Sequence, residues 1–239
     1  MSRKNRLAGG VLLGAAASSA LAMGALSGAG TAGATCASVS GINAGSGCSS
    51  SVSSFAVGLG PGTKASAQGL FNGAVATGTN TTATASGGAF NFAYAGGTGS
   101  VAQAGGTKLV PAPSAFNVAI AQGTNSGALA DGLGNAAVVF GDGSGATAIG
   151  AGNFATAVAD GNGVAATGVF NRAAAFGNSN TVVAANSPTS NFDFGNNTAL
   201  AFGNKNLVFA GTKASPRNNF AAGIGDNKVA VNGVNTVNP

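Results

Sequence analysis

The sequence has almost no ionisable side chains. Charged residues make up 6% of the 239 positions, against about 25% in ordinary soluble domains. Glutamate, histidine and tryptophan are absent, and aspartate occurs five times. General acid–base catalysis and metal binding both depend on such groups. The composition therefore argues against an enzyme, and we expect neither catalytic residues nor a tightly bound cofactor.

Basic residues are also too sparse to form a patch. The formal net charge is +5, but three of the ten basic residues stand at positions 3, 4 and 6, in a segment that we expect to be removed. Binding to nucleic acid needs a continuous basic stripe that neutralises phosphates. We expect no nucleic-acid partner, because the other seven are scattered: Lys64, Lys108, Arg172, Lys205, Lys213, Arg217 and Lys228.

The segment 1–34 has the order of a secretory signal peptide. A basic start is followed by an apolar stretch over 7–26, and then by small residues that end at Ala34. A retained membrane anchor is the alternative, although four glycines dilute the stretch for a spanning helix. We expect cleavage after Ala34, a secreted or cell-surface protein, and no membrane span in the mature chain.

Two cysteines, Cys36 and Cys48, stand just inside the predicted mature end. In an exported protein, a pair separated by a short Gly/Ser-rich segment is most simply a disulfide. Two free thiols are the alternative.

Glycine recurs every ninth residue through the middle of the chain. Of the 16 positions from 60 to 195 at this spacing, 13 are Gly, where composition alone gives about three. Alanine is frequent four and two residues before each of them, so the unit is Ala-x-Ala-x-Gly-x-x-Asn-x. The first half alternates like a strand, and the Gly and Asn favour a turn.

The sequence also has a second period of 18 residues, twice the length of the first. The position before the repeated Gly is Phe140, Val158, Phe176 and Phe194 in one series, and Asp131, Ile149, Thr167 and Ala185 in the interleaved series. The sequence therefore predicts an all-β fold, a β-solenoid or β-roll with two strands and about 18 residues per coil, in which like residues stack about 4.8 Å apart.

The chain is predicted to have four parts. These are the signal peptide at 1–34, a disulfide-bearing cap at 35–54, the regular array at 55–195, and irregular terminal repeats with a C-terminal cap at 196–239. Terminal repeats of a solenoid must cover an open end, so atypical sequence is expected there.

Uniformly small residues favour a narrow interior. We therefore place Ala and Gly inside, and predict that Phe140, Val158, Phe176 and Phe194 form an outward apolar ladder, which is typical of an association surface. The alternative is that Phe fills the interior and the small residues face water.

Asp142 and Asp160 are the candidate metal ligands. They stand two repeats apart, each one residue after a position of the nine-residue series, which is Gly141 for the first and Ala159 for the second, so the two carboxylates should be neighbours on one edge. Ca²⁺ prefers six to eight oxygen ligands, and two carboxylates beside Gly and Asn carbonyls predict at most a weak site.

The repeats at 146–153 and 173–180, which read ATAIGAGN and AAAFGNSN, resemble the head repeats of YadA-like trimeric autotransporter adhesins, which are left-handed β-rolls. The similarity spans most of 56–206. It implies surface display, trimerisation and adhesion to a host or cell-envelope surface ligand. The coil of that family is shorter than the coil predicted here, and its stalk and membrane anchor have no counterpart in this sequence.

Together these features predict a non-enzymatic repeat protein, secreted or in the cell envelope, with a structural or adhesive role through self-association or partner binding. The alternative is a soluble binding module that holds calcium or a carbohydrate along the turn edge of the roll.

Overall fold

The computed structural model describes residues 35–106, 114–185, 195–211 and 218–232. In that part of the chain every regular element is a β-strand, and the strands form two sheets. No helix long and apolar enough to cross a membrane occurs among these residues.

The strands are numbered in chain order. Sheet A contains β1 (Thr35–Val39), β2 (Ile42–Ala44), β4 (Phe55–Leu59), β6 (Gly73–Thr79), β8 (Phe92–Thr98), β10 (Val118–Thr124), β12 (Ala136–Phe140), β14 (Phe154–Val158), β16 (Arg172–Phe176), β18 (Thr198–Phe202) and β20 (Phe220–Ile224). Sheet B contains β3 (Cys48–Ser50), β5 (Lys64–Ala67), β7 (Thr82–Ala85), β9 (Val101–Ala104), β11 (Gly127–Leu133), β13 (Gly145–Ala151), β15 (Gly163–Val169), β17 (Thr181–Ala185), β19 (Leu207–Ala210) and β21 (Val229–Val231).

From β3 onward, consecutive strands alternate between the two sheets, and from β5 onward each strand lies parallel to the one a full coil earlier. Ala137 pairs with Ala155 and Ala155 with Ala173, so each of these coils contains two of the repeats seen in the sequence. The predicted all-β solenoid with two strands per coil is confirmed. About nine coils stacked at about 4.8 Å give a rod close to 40 Å long.

The interior of the rod is filled almost entirely by alanine. Inward positions such as Ala119, Ala137 and Ala155 have no exposed surface, and the largest apolar residues among the fully buried ones are Val139, Val182 and Val208. No aromatic side chain is buried in the described residues. The prediction that small residues face inward is confirmed, and the alternative of a phenylalanine interior is wrong.

The repeated glycines are needed for two separate reasons. Gly132 and Gly150 have φ angles of 103° and 116°, a region that side chains disfavour. A Cβ on Gly132 would also overlap the carbonyl oxygen of Gly150 in the next coil. One correction to the strict period is that Gly97, and not Gly96, stacks between Gly78 and Gly123, because that coil has one extra residue.

Two kinds of corner join the sheets. The chain passes from sheet A to sheet B at the polar corner, for example at residues 141–144, and returns at the phenylalanine corner, for example at 114–117. The phenylalanine corner is named for Phe71, Phe90, Phe116 and Phe170, which lie there.

A buried asparagine ladder stabilises the phenylalanine corner. The Oδ1 atom of Asn135 accepts hydrogen bonds from the backbone N–H of Asn153 at 2.9 Å and from its Nδ2 at 3.0 Å. Nδ2 of Asn135 donates to the carbonyls of Asp131 at 2.7 Å and Gly150 at 2.9 Å. The ladder satisfies turn groups that would otherwise be buried without partners, and its members are Asn72, Asn91, Asn117, Asn135, Asn153, Asn171, Asn197 and Asn219.

The polar corner has an equivalent buried ladder with a different composition. Hydroxyls serve in the earlier coils, where Ser144 Oγ accepts from the backbone N–H of Asn162 at 3.0 Å. Asparagines serve in the later coils, where Oδ1 of Asn162 accepts from the N–H of Asn180 at 3.0 Å. Either side chain can fill this position because only an acceptor beside the next backbone N–H is required.

All variation in coil length within the described ranges occurs at the phenylalanine corner. The step across the polar corner is constant, for example seven residues from Ala121 to Ala128. Across the other corner, the regular step is also seven residues, but the step from Ala104 to Ala119 is more than twice as long.

The N-terminal end of the rod is capped. Strand β1 pairs antiparallel with both β2 and β4, so it covers the first edge of sheet A, which would otherwise offer unpaired backbone groups. Cys36 in β1 is bonded to Cys48 in β3, with 5.5 Å between their Cα atoms. The predicted disulfide is confirmed, and it ties sheet A to sheet B at this end.

We predict that Asn135→Ala lowers the free energy of unfolding by at least about 2 kcal/mol, because it removes the acceptor of the buried Asn153 N–H. Asn135→Ser should cost less, since Ser144 fills the same role at the polar corner. Urea denaturation measures both. Equal stability of the alanine and serine variants would contradict the ladder's role.

Candidate association surface

The outer surface of sheet A is predominantly apolar. Its nine parallel strands, β4 to β20 in even numbers, each direct their first, third and fifth residues outward, which gives 27 positions in three rows. We call these 27 positions the apolar face. Arg172 is the only charged residue among them.

The rows differ in where their large side chains lie. The first row is Phe55, Gly73, Phe92, Val118, Ala136, Phe154, Arg172, Thr198 and Phe220; the centre row is Val57, Val75, Tyr94, Ile120, Val138, Thr156, Ala174, Leu200 and Ala222; and the last row is Leu59, Thr77, Gly96, Gln122, Phe140, Val158, Phe176, Phe202 and Ile224.

The last row contains the apolar ladder predicted from the sequence. Phe140, Val158 and Phe176 are neighbours in successive strands, and their side chains point away from the core. Phe194 lies outside the described residues. The next position in the row is Phe202, because the coil between β16 and β18 is eight residues longer than the regular coil. The rings of Phe176 and Phe202 stack with centroids 5.1 Å apart.

The phenylalanine corner extends this apolar surface beyond the first row. Phe71, Phe90 and Phe116 are exposed, and their rings stack at 5.3 and 5.2 Å. Each has a positive φ between 54° and 58°, which is rare for a bulky side chain. In other coils the equivalent exposed position is occupied by Gly134 or Gly152, which also have positive φ.

The outer surface of sheet B is different in character. Its first row includes Lys64, Thr82 and three glycines, and its centre row begins with Ser49, Ser66 and Thr84. Of the 12 phenylalanines in the described residues, seven lie on the apolar face, four at the phenylalanine corner and one, Phe209, on sheet B. The protein therefore has one strongly apolar side.

The two candidate metal ligands lie together at the polar corner, but one oxygen of each carboxylate already has a structural partner. One oxygen of Asp160 accepts the backbone N–H of Asp142 at 2.7 Å, and one oxygen of Asp142 accepts that of Thr124 at 2.6 Å. Asn178 continues this exposed ladder in the next coil. Within the described ranges, no group of three or more His, Cys, Asp or Glu residues could hold a metal ion.

A buried carboxylate lies at the end of β11. Asp131 has no exposed surface, and its Oδ1 accepts hydrogen bonds from the backbone N–H of Gly132 at 2.9 Å and from the hydroxyl of Ser114. Its Oδ2 has no hydrogen-bond partner. Within the described part of the chain, Asp131 belongs to no cluster of three or more His, Cys, Asp or Glu residues.

Comparison with protein-family models, with curated proteins and with solved structures finds no match to this chain. The surface chemistry of the rod is therefore the direct guide to its function.

Sequence reasoning found part of one row of the apolar face and missed the other two. The first row gives no comparable signal, because Ala136, Phe154 and Arg172 have the same spacing as the predicted ladder but differ in size and charge. The phenylalanine corner could not be found in this way. A phenylalanine at positive φ contradicts the usual preference of such turns for Gly and Asn.

We predict that Phe176→Ser costs only about 1 kcal/mol of unfolding free energy, because the ring lies outside the core. Its neighbour Ala175 has no exposed surface, so Ala175→Phe should cost at least about 3 kcal/mol or prevent folding. Urea denaturation of dilute protein measures both variants, since association would add to the apparent stability. If Phe176→Ser unfolds the rod as severely as Ala175→Phe, the ring belongs to the core.

Proposed function

We propose that the protein is an exported, non-enzymatic rod with a structural or adhesive role at the cell envelope, and that it works by holding its apolar face against an apolar partner. The observation that carries the proposal is the placement of phenylalanine. All 12 described phenylalanines lie outside the core, and 11 of them lie on the apolar face or at the phenylalanine corner beside it.

The size of the surface supports a binding role. Nine strands about 4.8 Å apart and five residues of about 3.3 Å each give a face close to 40 Å by 15 Å. Monomeric soluble proteins rarely leave a continuous apolar patch of several hundred Å² open to water, and such patches usually mark interaction sites.

The interior supports a structural role. The core is tightly filled by alanine, and ladders of hydrogen bonds run along both corners from coil to coil. Each coil is thereby fixed to its neighbours, as in solenoids that present extended surfaces. Such a rod holds the strands of the apolar face in one fixed register.

Export is supported by the order of residues in the segment 1–34 and by the disulfide. Disulfides persist in oxidising compartments and are rare in the cytosol. The resemblance to adhesin head repeats agrees with a position at the cell surface.

The proposal is tested by fractionating the producing cells into cytosol, envelope and medium. We expect the chain in the envelope, with its N-terminus at Thr35. Phe140→Ser combined with Phe176→Ser should shift the chain from the envelope into the medium, because it replaces two of the seven phenylalanines of the apolar face with polar side chains. Leu129→Ser combined with Val183→Ser, on the outer face of sheet B, is the control and should leave the distribution unchanged.

Two outcomes would contradict the proposed function. One is a cytosolic chain that keeps residues 1–34. The other is retention in the envelope that does not depend on the apolar face.

A binding module at the polar corner is the second candidate. A polar cavity of about 390 Å³ lies there, lined by Asn178, Ser179, Asn204, Lys205, Asp226 and Asn227. Its amide side chains, with one basic and one acidic side chain, suit a carbohydrate. Calcium would have to bind at Asp142 and Asp160 on the same edge, through the carboxylate oxygens that the ladder does not use.

For calcium we predict no binding in equilibrium dialysis at millimolar concentration, because one oxygen of each carboxylate is used by the ladder. Asp160→Asn should stay within about 1 kcal/mol of the parent, since Asn178 fills the same position one coil later. Calcium that binds the parent but not Asp160→Asn would favour the second candidate.

A further inference from the structure

We propose that the occupant of the apolar face is a second copy of this chain. The two copies would pack with their faces together about a two-fold axis parallel to the rod. This inference rests on the proposed function and names the partner of its surface. Each sheet A strand would then lie across from the same strand of the other copy, in the opposite direction.

The first argument is that the apolar face is complementary to itself. Of the six strands from β8 to β18, four carry a larger side chain at one end than at the other, whereas β10, with Val118 and Gln122, and β16, with Arg172 and Phe176, have side chains of similar size at both ends. Reversing one of those four strands therefore places large residues opposite small ones. The pairs are Phe92 with Gly96, Ala136 with Phe140, Phe154 with Val158 and Thr198 with Phe202.

The ends of the rod do not follow this alternation. Strand β4 has Phe55 and Leu59, and β20 has Phe220 and Ile224, so both ends of these strands are large. We therefore expect the closest contact between β8 and β18, with looser packing outside them.

The second argument is charge. Arg172 and Phe176 are the first and last residues of β16. In the proposed arrangement each Arg172 lies opposite Phe176 of the other copy, which permits two cation–π contacts and keeps the two guanidinium groups apart. A lipid surface is less suited to the face, because binding to anionic membranes depends on several basic residues and the face has one.

The third argument is area and symmetry. The dimensions of the apolar face, about 40 Å by 15 Å, give a projected area of about 600 Å². The solvent-accessible area of the face is larger, because side chains project from it, and a stable interface needs about 800 Å² per partner. A contact between identical patches closes after two copies, so it needs no second surface. A ring of three needs two different patches on each copy.

The oligomeric state is measured by light scattering and analytical ultracentrifugation on the protein in its exported form. We expect a dimer. Phe140→Ser with Phe176→Ser should raise the dissociation constant at least about 100-fold, since buried aromatic residues dominate such interfaces. Leu129→Ser with Val183→Ser on sheet B should change it less than about threefold. A monomer, a trimer or an equal loss in the sheet B control would overturn the inference.

A second experiment separates a complementary interface from general apolar adhesion. Ala136→Phe fills the space opposite Phe140 of the other copy, so it should weaken the dimer about tenfold or more. The double variant Ala136→Phe/Phe140→Ala exchanges the large and small ends of β12 and should restore dimer formation. Tighter association of the single variant would show a non-specific apolar surface and would overturn the inference.

The orientation is tested by cross-linking. Val75 is in the centre row of β6, so in the proposed dimer it faces Val75 of the other copy. Val75→Cys should then give a covalent dimer when treated with a bifunctional thiol-reactive linker. The linker must span the distance between two sheets packed face to face, which is about 10 Å. If Val75→Cys alone does not react but cross-links when mixed with Leu200→Cys, the rods run in opposite directions and the proposed axis is wrong.

These tests distinguish failure of the dimer from failure of the proposed function. A monomer in solution whose retention in the envelope still depends on Phe140 and Phe176 removes the second copy as the occupant and leaves the function in place. A dimer that remains in the cytosol would support the second copy as the occupant of the apolar face and would contradict the proposed function.

Discussion

The distance between the two sheets is the constraint on which the rest of this structure depends. Only alanine, glycine and an occasional valine fit between them, so every larger apolar side chain must lie outside. Most proteins bury phenylalanine to gain stability from the hydrophobic effect. Here that gain is not available inside a single chain. The apolar residues are left on one side, where only a partner can remove them from water.

The narrow core also explains why hydrogen bonds are so prominent. An alanine buries little surface compared with a leucine or phenylalanine, so each coil gains little from apolar contacts. The backbone pairing along both sheets and the ladders at both corners make up the remaining cohesion. Asparagine suits these corners because one side chain offers both an acceptor and donors to groups in adjacent coils.

Much of the fold could be predicted from the sequence, because a repeat imposes one local solution many times. The alternation of Ala with larger residues predicted which side faces inward, and the doubled period predicted the coil. What failed were statements that assumed a constant coil length. Phe202 follows Phe176 in the last row because their coil carries an insertion, and the next position at the constant spacing was Phe194. Insertions at a corner leave the strands unchanged, so the local pattern holds no signal of them.

The site was predicted less completely than the fold, for a different reason. Asp142 and Asp160 were correctly expected to be neighbours, but composition does not reveal that their oxygens accept backbone N–H groups. The apolar face is a property of three rows that become adjacent only once the register is known. One row shows as a periodic series in the sequence, while the extent of the surface requires the pairing of all nine strands.

The unequal behaviour of the two corners has a consequence for how the chain can be altered. Where the strands return from sheet B to sheet A, the connection tolerates up to eight additional residues without disturbing the pairing on either side. The opposite connection keeps one length throughout the described coils. Foreign peptides could therefore be grafted at the first kind of position, for example as displayed epitopes, whereas even a single residue added at the second kind would interrupt a hydrogen-bonded series that runs along the rod.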